Sequence, residues 1–146
     1  MGKTDKFEYD FLRSIFNGTA ITNWSATAGT TKVWVGLHTA DPGDSGTTAA
    51  EGGYTAYTRI AVERSTTGWV VSSGSSNAVA TVSPVGAVTF PQVATTSTGT
   101  FTHASIYPAS DTTGPEAAYN GTLTPNINFS QNVTPSITTG SSITET

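Results

Sequence analysis

The sequence predicts an all-β fold, a jelly-roll-like β-sandwich of about eight to ten short strands with one short N-terminal helix. Three observations carry this. Thr (29) and Ser (16) supply 45 of the 146 residues, with 15 Gly and 7 Pro beside them, a composition of β-branched strand formers and turn formers rather than of helix formers. From Trp24 onward, apolar residues recur with a period of two in short runs between turn clusters. Charged residues are only 11% against 36% hydrophobic, which fits a chain that buries a core rather than one kept open by its charge. At 15.0 kDa the size is that of one domain spanning 1–146, with the helix over 5–16 and the sandwich over about 24–146.

Each element has its own signal. Residues 3–13 hold Lys3, Asp5, Lys6, Glu8, Asp10 and Arg13, while Phe7, Phe11, Leu12 and Ile15 recur at helical spacing with Phe16 beside them. Asp5 followed by Glu8 reads as a capping box, and Asn17-Gly18 as a stop, because glycine takes the left-handed conformation past a helix end without a Cβ penalty. Val33, Val35 and Leu37 alternate with Trp34, Gly36 and His38, predicting a strand over about 32–38. Asp41-Pro42-Gly43 then marks a turn. A second strand is expected over about 55–63, with Thr58, Ile60 and Val62 on one face. Shorter strands follow at 69–71, 78–82, 88–91 and 101–107, the last with Thr102, Ala104 and Ile106 on one side. Asn120-Gly121 reads as a hairpin turn, and 127–129 and 136–145 close the count.

The same sequence narrows the function. Cys is absent, which removes disulfides, thiolate metal sites and a thiol nucleophile. No apolar run approaches the ~18 residues of a membrane span, and the charged first residues lack the apolar core of a secretory signal. Net charge is −4, and no Lys or Arg follows Arg64, so the basic face that nucleic acid requires is missing. Neither nucleic acid nor membrane is expected as a partner. Ser/Thr-rich, low-charge strands suit a protein that works outside a cell, and the N-terminus suits one made in a cytoplasm; virion proteins meet both conditions.

No catalytic pattern stands out: there is no nucleophile elbow, phosphate loop, dinucleotide fingerprint or zincin motif, and no enzyme activity, cofactor or metal is expected. Asp41, Asp44 and Glu51 lack the regular alternation of a calcium loop, so a turn capped by an Asx hydrogen bond is the simpler reading. His38 and His103 sit at strand positions and read as hydrogen-bonded histidines rather than ligands. Trp24, Trp34, Trp69, Tyr54, Tyr57 and Tyr119 invite comparison with a sugar-stacking platform, against which stands their ordinary use in a small β core.

Read in order, several segments form a recognisable series: Phe16-Asn17-Gly18-Thr19-Ala20, Val35-Gly36-Leu37-His38-Thr39-Ala40-Asp41-Pro42-Gly43, Tyr54 to Val62, Val88-Thr89-Phe90-Pro91, Thr102-His103-Ala104-Ser105-Ile106-Tyr107, and Gly121-Thr122-Leu123-Thr124. The chain thereby resembles, over nearly its whole length, a family of small tailed-bacteriophage virion proteins. Members are often labelled tail fibre proteins, and look-alikes of known structure include jelly-roll cement or decoration proteins of phage heads. The resemblance implies a virion structural protein. Because the chain is short and non-repetitive, a cement protein on the outer surface of the head is placed ahead of a tail or tail-fibre component engaged in host attachment. The partners implied are the major capsid protein and further copies of the chain, as a homodimer or homotrimer, since closed homo-oligomers are the usual bridges across symmetric joints. The bridging contacts are assigned to the helix face of Phe7, Phe11, Leu12, Ile15 and Phe16 and to the loop of His38, Asp41, Pro42 and Gly43.

Overall fold

The computed structural model describes residues 2–4, 7, 9–11, 16, 20–21, 31–48, 50–72, 80–110 and 116–145. The protein is all-β, as the alternation predicts. The strands are β1 (Gly2–Lys3), β2 (Lys32–His38), β3 (Ile60–Glu63), β4 (Trp69–Ser72), β5 (Ala80–Pro84), β6 (Val88–Thr89), β7 (Gly99–Tyr107), β8 (Tyr119–Phe129), β9 (Ser136–Ile137) and β10 (Ile143–Glu145). Five of them form one sheet in the order β1-β8-β7-β2-β3, three form a second in the order β10-β5-β4, and β6 pairs with β9. Every pairing is antiparallel. Phe7, Tyr9, Asp10, Phe11 and Phe16 are helical, inside the span 5–16 expected to be so.

The core lies on one face of the large sheet. Val33, Val35 and Leu37 of β2 point into it together with Phe101, Ala104 and Ile106 of β7, and Tyr54, Val88, Phe90, Val93 and Phe129 complete the cluster. Trp69 of β4, Ile137 of β9 and Ile143 of β10 pack against it, so the two smaller sheets form the second layer. Phe101 and Phe129 stack at 4.6 Å, and Tyr57 lies parallel to Phe90 at 5.9 Å. Burial of such rings is the largest hydrophobic contribution a small β core has.

Local differences from the sequence expectation each have a physical cause. The strand expected over 55–63 begins only at Ile60, because Tyr54 to Tyr57 closes a turn through Tyr57 N–H to Tyr54 C=O. The tyrosine hydroxyl then does what a ladder neighbour would have done: Leu37 N–H donates to Tyr57 Oη at 2.7 Å. In β7, Phe101 shares the core face with Ala104 and Ile106, not the opposite face, because the pairing is irregular between Phe101 and His103, where Thr102 alone stands against Leu123 to Asn126 of β8. Asn120-Gly121 is no hairpin turn; both residues lie within the 11-residue strand β8, opposite Ser105 and Ala104 of β7. The closing segment divides into β9 and β10 in different sheets, with a turn held by Ser141 N–H to Thr138 C=O.

The N-terminal strand β1 has no sequence signal, being two residues long. Gly2 pairs with Asn120 and Lys3 with Tyr119. Thr4, fully buried, donates its hydroxyl to Ala117 C=O at 2.7 Å and accepts from Phe7 N–H at 3.4 Å. Thr4 is thus the observed helix cap; Asp5 and Glu8, expected to form a capping box, lie outside the described residues.

Candidate functional site

Three regions hold the residues with chemistry. The first is the face of the large sheet opposite the apolar core. Its β2 and β7 positions are Gly36, His38, Ser105 and Tyr107, paired Gly36 with Ser105 and His38 with His103. Over them lies the connection from β2 to β3, which delivers Glu51 and Arg59. Arg59 Nε donates to Glu51 Oε1 and Nη2 to Oε2, both at 2.7 Å, while Nη1 donates to Ala109 C=O at 3.0 Å. The guanidinium lies 3.3 Å from the centre of the Tyr107 ring. The Arg59 and Glu51 side chains are 0% and 3% exposed, so this is a buried, bidentate, fully directed ion pair. Gly36 is the residue that admits it: a Cβ there would stand 2.9 Å from both Glu51 Oε1 and the Tyr107 ring.

Beside the pair, His38 Nε2 lies 2.9 Å from Ser105 Oγ and 3.1 Å from Tyr107 Oη. Burial, and then the negative charge of Glu51, push the Tyr107 hydroxyl up to about 12. The same two causes in the same order push the Tyr57 hydroxyl up, and it donates to Glu51 Oε1 at 3.3 Å. Both phenols therefore stay protonated through the physiological range. His38 is 0% exposed and engaged by Ser105 and Tyr107, so it is corrected from a contact residue of the loop to a member of this buried network.

The second region is the loop after β2. Asp41 Oδ1 accepts from Gly43 N–H at 2.8 Å, the capped turn that its sequence suggests. Asp41 is exposed at the tip, with Oδ2 3.9 Å from His103 Nε2; Pro42 is buried and Gly43 half-buried. Asn120 Nδ2 donates to Gly43 C=O, and Gly46, at φ +61°, accepts from Ala117 N–H at 3.0 Å while its own N–H donates to Gly43 C=O at 3.1 Å. A Cβ on Gly46 would stand 2.7 Å from Thr4 Cγ2. The loop is thereby a brace for the root of the N-terminal arm. Glu51 turns away from Asp41 and Asp44 to meet Arg59, which separates the three acids that a calcium loop would have had to gather.

The third region is the helix. Phe7 is half-buried, its ring 5.6 Å from that of Tyr119. Phe11 is 44% and Phe16 78% exposed, with Tyr9 at 61%; Leu12 and Ile15 lie outside the described residues. Of the aromatic residues weighed as a sugar platform, Tyr54 belongs to the core cluster and Tyr57, Trp69 and Tyr119 pack against it, Trp34 is half-buried, and Trp24 lies outside the described residues.

Sequence reasoning did not single out Thr4, Gly46, Glu51 with Arg59, or Tyr107. Their signal was present only in part: two opposite charges eight residues apart in a chain with few charges.

A family model described as Podophage GP4 fiber I protein gp80 matches residues 2–144. A search of the curated proteins returned no match. The chain belongs to this phage virion protein family, and the family description is of a fibre rather than of a head cement protein.

Proposed function

We propose that this member of the phage fibre family is a fibre component of the virion that takes part in host attachment, joined to the particle through its N-terminal helix. The family's fibre description supports placing it there rather than on the head as cement, and the contrast between the root and the outer face of the arm supports attachment through the helix. The root is tied down by β1, by the buried Thr4 and by the Phe7–Tyr119 contact. The outer face leaves Phe11 and Phe16 in solvent. An arm held at its root and apolar at its surface is suited to a neighbouring subunit, in the manner of an amphipathic helix laid into a groove. That neighbour is a second copy, in a dimer or trimer, or the virion component to which the fibre attaches. The exposed tip at Asp41 adds a second, polar contact. No catalytic step is part of this reading.

Copy number in purified particles, measured by quantitative mass spectrometry against the major capsid protein, tests it. A count far below that of the capsid protein is expected. A count approaching it would overturn the fibre reading in favour of head cement. Phe11→Ser with Phe16→Ser alters only exposed positions, so stability should stay within about 0.5 kcal/mol while the subunit is lost from particles. Retention of the double variant at wild-type copy number would show that the helix face makes no such contact.

A further inference from the structure

Where β2 and β8 begin and β7 ends, the two layers leave a hollow of about 670 Å³. Val33, Ile106 and Tyr119 of the large sheet and Val71, Val82 and Ile143 of the three-stranded sheet line it. Among the described residues around it, Arg64 alone carries a charge. Val71 is also 72% exposed, so the hollow opens to solvent beside β4. The N-terminal arm is rooted at the rim, because the Phe7 ring meets that of Tyr119. Further along the arm, Phe11 and Phe16 remain 44% and 78% exposed. The chain thus carries an open apolar hollow and, rooted beside it, two aromatic side chains that it leaves in water. Exposed apolar surface gathered in one place marks a contact with another molecule.

We infer that this hollow receives Phe11 and Phe16 of a second copy of the chain, while that copy's hollow receives Phe11 and Phe16 of the first. The inference rests on the docking arm proposed above and names its neighbour. Chemistry selects the occupant. Walls of valine, isoleucine and tyrosine gain most from apolar rings, and a helix that lays such rings into a groove is a recurring mode of recognition. Position selects the copy. Each arm is rooted at the rim of a hollow, so a two-fold axis beside Tyr119 sets both arms opposite both hollows at once. The contact is then isologous and closes at two subunits. Area selects reciprocity. At about 200 Å² for a whole phenylalanine side chain, the parts of Phe11 and Phe16 now in water come to about 240 Å². Covering them once, together with the wall they meet, buries about 500 Å², no more than an incidental contact. The reciprocal pair buries about 1,000 Å², where specific interfaces begin. Val71 at the mouth is covered in the same step.

The test uses the full chain, which has no cysteine of its own, so introduced thiols report one contact cleanly. Phe16→Cys combined with Val71→Cys, both at exposed positions, is treated with a short bismaleimide. A covalent dimer is expected, in far higher yield than from either single variant. A cross-link confined to one chain overturns the inference, because the arm then covers its own hollow. Sedimentation of the unmodified chain from low micromolar to near-millimolar concentration should show a reversible dimer. Phe16→Ser and Val71→Glu, on the two sides of the joint, should each weaken it at least tenfold. Both variants should melt at the same temperature as the parent when all are dilute enough to be monomers, which separates lost docking from lost folding. A chain that stays monomeric throughout the range overturns the inference, as does an oligomer indifferent to both substitutions or a monomer that carries an apolar small molecule in native mass spectrometry. If the chain is monomeric and Phe11→Ser with Phe16→Ser still removes it from particles, the pairing falls and attachment through the helix stands. If the dimer forms through Phe16 and Val71 but the protein is present at capsid copy number, the pairing stands and the fibre reading falls.

Discussion

At β2 and β7 the two faces of the large sheet are both buried, by opposite means. On one face β2 and β7 turn Val35, Leu37, Phe101, Ala104 and Ile106 toward the smaller sheets. On the other, Gly36, His38, Ser105 and Tyr107 are covered by a connection that brings Glu51 and Arg59. The apolar face tolerates imperfect fit, because dispersion and the hydrophobic effect have no direction. The polar face does not. A charge out of water must find its counter-charge and its hydrogen bonds in one geometry, and removing a partner leaves a buried charge uncompensated. The same period-two strand thus builds a core on one side and a directed network on the other. What separates them is which residues the neighbouring loop delivers.

The largest effect that sharpens this comparison is Glu51→Ala, expected to cost about 3–5 kcal/mol in denaturant unfolding, because Arg59 is left charged under Tyr107. Replacing the pair together, Glu51→Leu with Arg59→Met, should recover most of that loss; if the double variant is as unstable as the single one, the network is held by shape and not by charge. Next comes the apolar face: Leu37→Ala, at a fully buried position, should cost about 2–5 kcal/mol, and here no second substitution across the sheet should compensate. Tyr57→Phe is smaller, about 1–3 kcal/mol, because it orphans the Leu37 N–H that the phenol now accepts. Hydrogen exchange at Leu37 checks the cause, since that amide should lose its protection first.

Alkali gives the smallest effect and a direction fixed by linkage. Tyr107 titrates at about 12 in the fold against 10.0 for the free side chain. A raised phenol binds its proton more tightly folded than unfolded, so its contribution is complete below pH 10 and is lost as pH rises from about 10 toward 12. Stability should therefore fall across that window, with the raised Tyr57 phenol adding to the fall, and Tyr107→Phe should make it shallower without abolishing it. A pH profile equally steep in Tyr107→Phe would assign the loss to other groups.

Much of the fold was legible because it depends on local pattern. The strand at 32–38 was read residue for residue, since Val33, Val35 and Leu37 alternate with no interruption. The helix appears where Phe7 and Phe11 repeat at its period. The failures share one cause. Asn120-Gly121 has the composition of a turn, yet β7 offers it a partner along its whole length, and pairing overrides propensity. Residues 55–59 have strand composition, yet the turn at Tyr54 to Tyr57 frees the Tyr57 hydroxyl for Leu37 and places Arg59 on Glu51. His38 reads as part of a loop motif and is a buried residue, because its surroundings come from residues up to 69 positions away.

From its amino acids alone this chain is an all-β domain with a short helical arm, a sparse and lopsided charge, and the motif series of a phage virion protein. Those properties follow from composition, periodicity and the order of short segments, which neighbours in sequence are enough to express. Tertiary structure alone decided that the sheet is covered on both faces around β2 and β7, that Glu51 closes on Arg59 rather than joining Asp41 and Asp44, and that Thr4 and Gly46 lock the root of the arm. Each of these depends on where a distant backbone places a charge, a hydroxyl or a missing side chain, and no period in the sequence encodes such a distance.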